Sequence, residues 1–265
     1  MSVSLVHVAS PEGGVFSQRK KQCDLWEFVW GTSILFSRLL RKLEPVFSGA
    51  PVVCSPAASF PPQSPRQCSV LEVGCGSALC SLVCAMSGAT RVVATDAVED
   101  AVRVAEMSRV ANGIGEGIME FKRASWESVE SYEKDTFDFV VGSDILFGRW
   151  CAEPVSRVVE RCMKKEGLAI IADPVRLNME EFIERVEMKG MVVDVRKFPL
   201  NDLESVVREV GGLVDEQGKP FVKLKEAKVC IIRWQTEREG EGIMSDVSKG
   251  VLKILMENTV LCEKD

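Results

Sequence analysis

The sequence predicts an α/β fold: a doubly wound sheet of seven strands, mostly parallel, closed by an antiparallel C-terminal hairpin and preceded by a helical lead-in. Three observations predict it. Short apolar runs alternate with helix-length amphipathic segments from residue 68 onward. The first run, Ser69-Val70-Leu71-Glu72-Val73, passes directly into Gly74-Cys75-Gly76 and then into a helix. The second run ends at Asp96, 20 residues after Gly76. A glycine turn between strand and helix lets a ligand approach the backbone and presents helix N-terminal N–H groups. An acid about 20 residues further on commonly takes ribose hydroxyls in nucleotide-binding α/β folds. The match to G-x-G-x-x-G is incomplete, because Leu79 stands at the third glycine position.

In chain order, residues 1–67 form the lead-in. Pro11, Gly13, Gly14 and the basic run Arg19-Lys20-Lys21 predict a mobile or strand-like start with a solvated basic face. Leu25 to Phe47 reads as a helix capped by Asp24 or Ser33, with Ile34, Leu35, Leu39, Leu40 and Leu43 on one stripe. Residues 48–67 hold five of the eleven prolines and predict a mobile surface loop.

The core spans 68–235. Strands are expected at 69–73, 91–95, 118–122, 137–142, 168–172, 191–198 and 227–234. Helices are expected at 79–88, 98–112, 151–164 and 178–189. Val102, Ala105, Val110 and Ala111 are expected to face inward, and Gly190 to end the last of these helices. No helix-length apolar pattern stands out between the last two strands, so they are expected to pair as a hairpin with a long loop. Residues 236–265 form a charged, then amphipathic tail, expected to be helical from Met244 to Leu261.

Composition narrows the function. The chain has 265 residues, 46% hydrophobic and 27% charged, which suits one large domain with a full core. The net charge of −6 argues against a nucleic-acid partner. No stretch of about 18 apolar residues suggests a membrane span. Met1 to Gly14 lacks the pattern of a secretory leader. Ten cysteines and a single histidine, with no C-x-x-C pair, give no zinc framework; Cys80 and Cys84 share a helix face, and Cys54 and Cys68 flank a loop. A cytoplasmic, reducing environment is expected, with the nucleus as an alternative.

Two further motifs carry a family resemblance. They are Leu25-Trp26-Glu27-Phe28-Val29-Trp30-Gly31-Thr32-Ser33 and Asp138-Phe139-Val140-Val141-Gly142-Ser143-Asp144-Ile145-Leu146-Phe147. Together with Leu71-Glu72-Val73-Gly74-Cys75-Gly76 they resemble the Rossmann-like, seven-strand S-adenosylmethionine-dependent methyltransferases. Within these, residues 25–235 resemble methyltransferase family 16, which contains many protein lysine methyltransferases. Gly31 replaces that family's usual proline, and Ala78 replaces a third glycine found in many relatives.

The resemblance implies S-adenosylmethionine as cofactor and a protein substrate; the chain is expected to act as a monomer. Glu72 would hold the glycine turn or the amino-acid end of the cofactor. Gly74 and Gly76 would lie against it, Asp96 would accept from its ribose, Trp126 would flank adenine, Trp30 would cover the methionine part, and Ser143 would join this set. Asp144 would hold an incoming amine, and Phe147 would wall an aromatic passage. Structural roles compete with each: Trp30, Trp126 and Phe147 as core aromatics, Glu72 as a structural acid, Asp144 as a helix N-cap. The alternative functions are a small-molecule or protein-arginine methyltransferase, a scaffold that binds a partner protein, and a nicotinamide enzyme. The last is the weakest, because no Tyr-x-x-x-Lys occurs.

Overall fold

The structure, a computed structural model, describes residues 3, 29–48, 67–176, 178–210, 226–235 and 246–262. The basic run at 19–21, the start of the predicted first helix at 25–28, the proline-rich residues 49–66, Cys23 and Cys54 lie outside the described residues.

The elements in order are α1 (Gly31–Arg41), α2 (Glu44–Phe47), β1 (Ser69–Val73), α3 (Leu79–Met86), β2 (Arg91–Asp96), α4 (Glu99–Ala111), β3 (Met119–Arg123), β4 (Phe137–Ser143), α5 (Ala152–Cys162), β5 (Met163–Pro174), α6 (Asn178–Glu187), β6 (Met191–Lys197), α7 (Leu200–Val210), β7 (Ala227–Trp234), α8 (Asp246–Asn258) and β8 (Val260–Leu261). They build one sheet of order β3-β2-β1-β4-β5-β7-β6-β8. Strands β1 to β5 pair with one another in parallel, and β7 runs antiparallel to both β5 and β6.

Strand residues alternate between two cores. Val70, Phe139, Val141, Leu168 and Ile170 face a cluster with α1, α3, α7 and α8. Leu71, Val140, Ala169 and Ile171 face a second cluster with α5 and α6. A sheet covered on both faces must be apolar on both, which is why its strands read as continuous apolar runs.

Several expectations need correction. The predicted helix to Phe47 is broken between Arg41 and Glu44, where Lys42 and Leu43 form a turn before Pro45. The inward stripe of α4 is Ala101, Val104, Ala105 and Ser108, while Val110 and Ala111 are exposed and Val102 is half-buried. Strand β5 begins at Met163, five residues before the apolar run at Leu168, with an irregularity opposite Phe137/Phe139. The connection between β6 and β7 contains α7, whose Leu203 and Val206 fill the first core at an i, i+3 spacing too short to stand out in the sequence. The tail adds an eighth, two-residue strand to the seven predicted.

Helix α8 packs through Val251 and Leu255, both fully buried. The Arg196 guanidinium on β6 donates to the Met256 and Thr259 carbonyl oxygens at the helix end, satisfying acceptors that the last turn leaves open. Gly190, at φ +80°, closes the turn after α6, its N–H donating to the Glu187 carbonyl.

The described cysteines are free thiols, and no group of three or more metal-ligating side chains assembles among the described residues. No helix among them is long and apolar enough to cross a membrane.

Candidate active site

Strand β1 lies between β2 and β4, so the order of connection reverses there. In open α/β sheets ligands bind at the carboxyl ends of strands at this reversal. The residues leaving β1 and β4 at that edge are Gly74-Cys75-Gly76 and Asp144-Ile145-Leu146-Phe147. All of these except the buried Leu146 line one pocket with Trp30, Ser33, Glu72, Trp126, Ser143 and Arg176.

The floor is the glycine turn. Gly74 has φ +70° and Gly76 φ +49°. A Cβ on Gly74 would come within 2.8 Å of Trp126 Cζ2 and 2.9 Å of Ile145 Cγ2. Trp126 therefore rests on the turn itself, with only hydrogen tolerated between them.

Glu72 ties this turn to α3. Ala78 at the helix N-cap offers no side-chain acceptor and sits at φ +59°. The Glu72 carboxylate takes that role from the strand, accepting the Ser81 N–H at 2.9 Å. Glu72 is 2% exposed, and burial pushes its carboxyl up to about 7 against the opposing hydrogen bonds of Ser81 and Cys80.

Asp96 does not line the pocket directly. Its carboxylate sits behind the turn and accepts N–H bonds from Gly76 at 3.0 Å and Val98 at 2.9 Å. A carboxylate has about four acceptor positions, so these two bonds leave capacity for further donors. Burial pushes Asp96 up from the ordinary aspartate range, while the backbone bonds from Val98 and Gly76 oppose it.

The Ser143 hydroxyl at the end of β4 donates to Ser33 Oγ at 3.0 Å, joining the sheet edge to α1. Trp30 precedes α1 with extended backbone and is half-buried.

The other side of the pocket is aromatic. Phe147 is 41% exposed and Trp150 57% exposed. Ring centroids lie 5.5 Å apart for Phe147–Trp150, 6.0 Å for Trp126–Phe147 and 6.0 Å for Trp126–Trp150. The rings pack on one another as a platform at the mouth. Their exposed faces are where a cation would be held.

Asp144 sits between platform and turn, at φ +60°. It caps no α-helix: α5 begins at Ala152. Its N–H donates to the Ala172 carbonyl at 2.9 Å. Its carboxylate is ion-paired with Arg176, whose guanidinium also donates to Asp173 Oδ1 at 2.8 Å. Asp173 Oδ2 accepts the Leu146 N–H at 2.9 Å, and Asn178 Nδ2 donates to the Leu146 carbonyl at 3.0 Å. The loop after β4 is thus clamped from the end of β5 and the start of α6. Asp173 is fully buried, which pushes its carboxyl up to about 7 although Arg176 pulls it down.

A family model described as a methyltransferase domain matches residues 65–217. The chain belongs to this methyltransferase-domain family. Its fold is that of the class I enzymes, and S-adenosylmethionine is its cofactor. The ribosomal protein L11 methyltransferase of Alkaliphilus metalliredigens is 26% identical over 148 residues, covering 56% of this chain and 44% of that protein. The protein of the same name from Acetivibrio thermocellus is 29% identical over 123 residues, covering 46% and 37%. The chain therefore matches less than half the length of these relatives. A solved S-adenosylmethionine-dependent methyltransferase from Agrobacterium tumefaciens superposes with a TM-score of 0.50 at 14% identity, covering 78% of this chain and 63% of that one. That likeness concerns the fold alone.

The methyltransferase domain has residues that fit this cofactor. The Gly74 turn has no room for a Cβ, two serine hydroxyls and an acid supply polar contacts, and tryptophans supply flat apolar surface. Eight of the nine site residues named from the sequence line one pocket, and Asp96 stands behind it. Sequence reasoning missed Arg176, Asp173 and Trp150. Asp173 was visible only as the acid at a strand end, and Trp150 only as an aromatic three residues after Phe147. Arg176 carried no local signal.

Proposed function

We propose that the domain transfers a methyl group to an amine nitrogen of a protein, with a lysine side chain as the first-choice acceptor. The reading rests on one observation above all: Asp144 and the Phe147 platform share a pocket with the glycine turn. The relatives named for a ribosomal protein support a protein acceptor, and the resemblance to family 16 supports lysine. The proposed core is 68–235, acting as a cytoplasmic monomer.

S-adenosylmethionine supplies a methyl group on a cationic sulfur; transfer forms an N–C bond, the electrons of the broken S–C bond stay on sulfur, and the amine proton leaves to solvent. The chain's own residues position and exclude water. Gly74 and Gly76 give close backbone approach, Asp96 accepts hydroxyl donors, and Trp30, Trp126, Ser143 and Glu72 frame the remainder. Asp144 orients the amine through its free carboxylate oxygen. Phe147 and Trp150 cover the acceptor stem.

A second reading has its own observation. Arg176 in the lining would also suit a small acceptor that carries a carboxylate. Labelled cofactor incubated with the protein and a cell lysate separates the two. Mass spectrometry finding methyl-lysine in a protein supports the first reading; label confined to the small-molecule fraction supports the second and refutes the first.

A further inference from the structure

A carboxylate that meets an acceptor amine creates a difficulty. Methyl transfer needs the neutral amine, whereas an opposite charge nearby favours the ammonium form. A lysine amine has a reference pKa of about 10.4, so a bare Asp144 would make attack at neutral pH harder. The structure does not present a bare Asp144. Arg176 lies in the same pocket lining, ion-paired to Asp144 on one side and to Asp173 on the other.

We infer that Arg176 sets the charge of the acceptor end, neutralising Asp144 so that this carboxylate accepts a hydrogen bond from an amine without holding it as ammonium. The inference rests on the amine-acceptor reading above. Arg176 is a positioning and charge-setting residue and not a catalytic one, because it acts through Asp144.

The arrangement is built for this. Asp173 is fully buried and holds one guanidinium edge, so the arginine is not free to leave Asp144. The Leu146 N–H in turn holds Asp173, tying the clamp to the loop that carries Asp144. The charged and titratable groups facing Arg176 among the described residues are Asp144 from the loop after β4, Asp173 from β5 and Cys151 from the turn before α5. Burial pushes the Cys151 thiol up, so it contributes no charge. Among the described residues, the guanidinium is the single positive charge offsetting the two acids there.

Two measurements test this on the full chain. The first needs no turnover. S-adenosylmethionine carries one positive charge more than S-adenosylhomocysteine, so their affinity ratio by calorimetry reports the local charge. At pH 8, Arg176→Gln should shift the ratio about tenfold toward S-adenosylmethionine, and Arg176→Lys should leave it in place. Asp173→Asn removes a negative charge and should shift the ratio the other way. This variant keeps the test decisive where Arg176→Gln folds poorly. The second measurement is the pH profile of kcat/KM on the acceptor found in the lysate. Its acid limb should move up by about one pH unit in Arg176→Gln and stay put in Arg176→Lys, whatever the rate.

An unchanged ratio, or equal weakening of both ligands, would show a purely structural clamp and overturn the inference. A lysate without methylated amine overturns the amine reading instead, and the calorimetric ratio still decides whether Arg176 sets the charge.

Discussion

The Glu72 carboxylate on β1 accepts the Ser81 N–H of α3 at 2.9 Å, replacing the N-cap that Ala78 cannot provide. A buried acid beside the pocket thereby holds the helix that opens after the glycine turn.

This burial predicts a pH effect. Glu72's folded value, about 7, lies above its ordinary value of 4.5. The stability it contributes is complete below the ordinary value and is lost as pH rises through about 7. Glu72→Gln keeps an oxygen acceptor for Ser81 and cannot ionise. Its melting temperature relative to the unsubstituted protein should therefore climb between pH 5 and pH 8, by the equivalent of up to about 3 kcal/mol. Differential scanning fluorimetry across that range checks it. A flat difference would mean that the carboxylate reaches solvent.

Gly74→Ala should be costly twice. The left-handed backbone at φ +70° adds about 1–2 kcal/mol for a residue with a Cβ, and that Cβ would displace Trp126 or Ile145. Tm should fall, and affinity for S-adenosylmethionine should fall with it. Calorimetry showing unchanged affinity would separate the turn from cofactor binding.

Asp96→Ala removes the acceptor for the Gly76 and Val98 N–H groups as well as any ribose contact. On the proposed reading, cofactor binding should weaken by about 1.5–3 kcal/mol, the range for hydrogen bonds to a charged group. Asp96→Asn retains one oxygen acceptor and should lose less. Equal affinity in all three proteins would take Asp96 out of the site.

Asp144→Asn isolates charge from backbone. Asparagine tolerates the left-handed region, so φ +60° adds little strain. On the proposed reading, affinity for S-adenosylhomocysteine, which lacks the sulfonium charge, should stay within a few fold while transfer falls on the order of 100-fold, or about 2.7 kcal/mol of barrier. Full transfer with intact stability would sink the catalytic assignment.

The sequence alone determined what is written in short windows. The apolar run Val70–Val73, the glycines after it and the acid at the end of the next strand are each local. A buried strand, a left-handed turn and a strand-end carboxylate each need particular residues at those positions. The same holds for Asp144-Ile145-Leu146-Phe147, legible because it directly follows an apolar strand. The tertiary structure decided what depends on partners far along the chain. Strand β7 enters between β5 and β6, and α8 with β8 closes the sheet edge, where Arg196 bonds Thr259 across 63 residues and the first core receives Val251 and Leu255. Arg176 meets Asp144 across 32 residues, joining the ends of two adjacent parallel strands. No local spacing encodes that contact; the register between β4 and β5 does. The charge at the Asp144 side of the pocket follows from it.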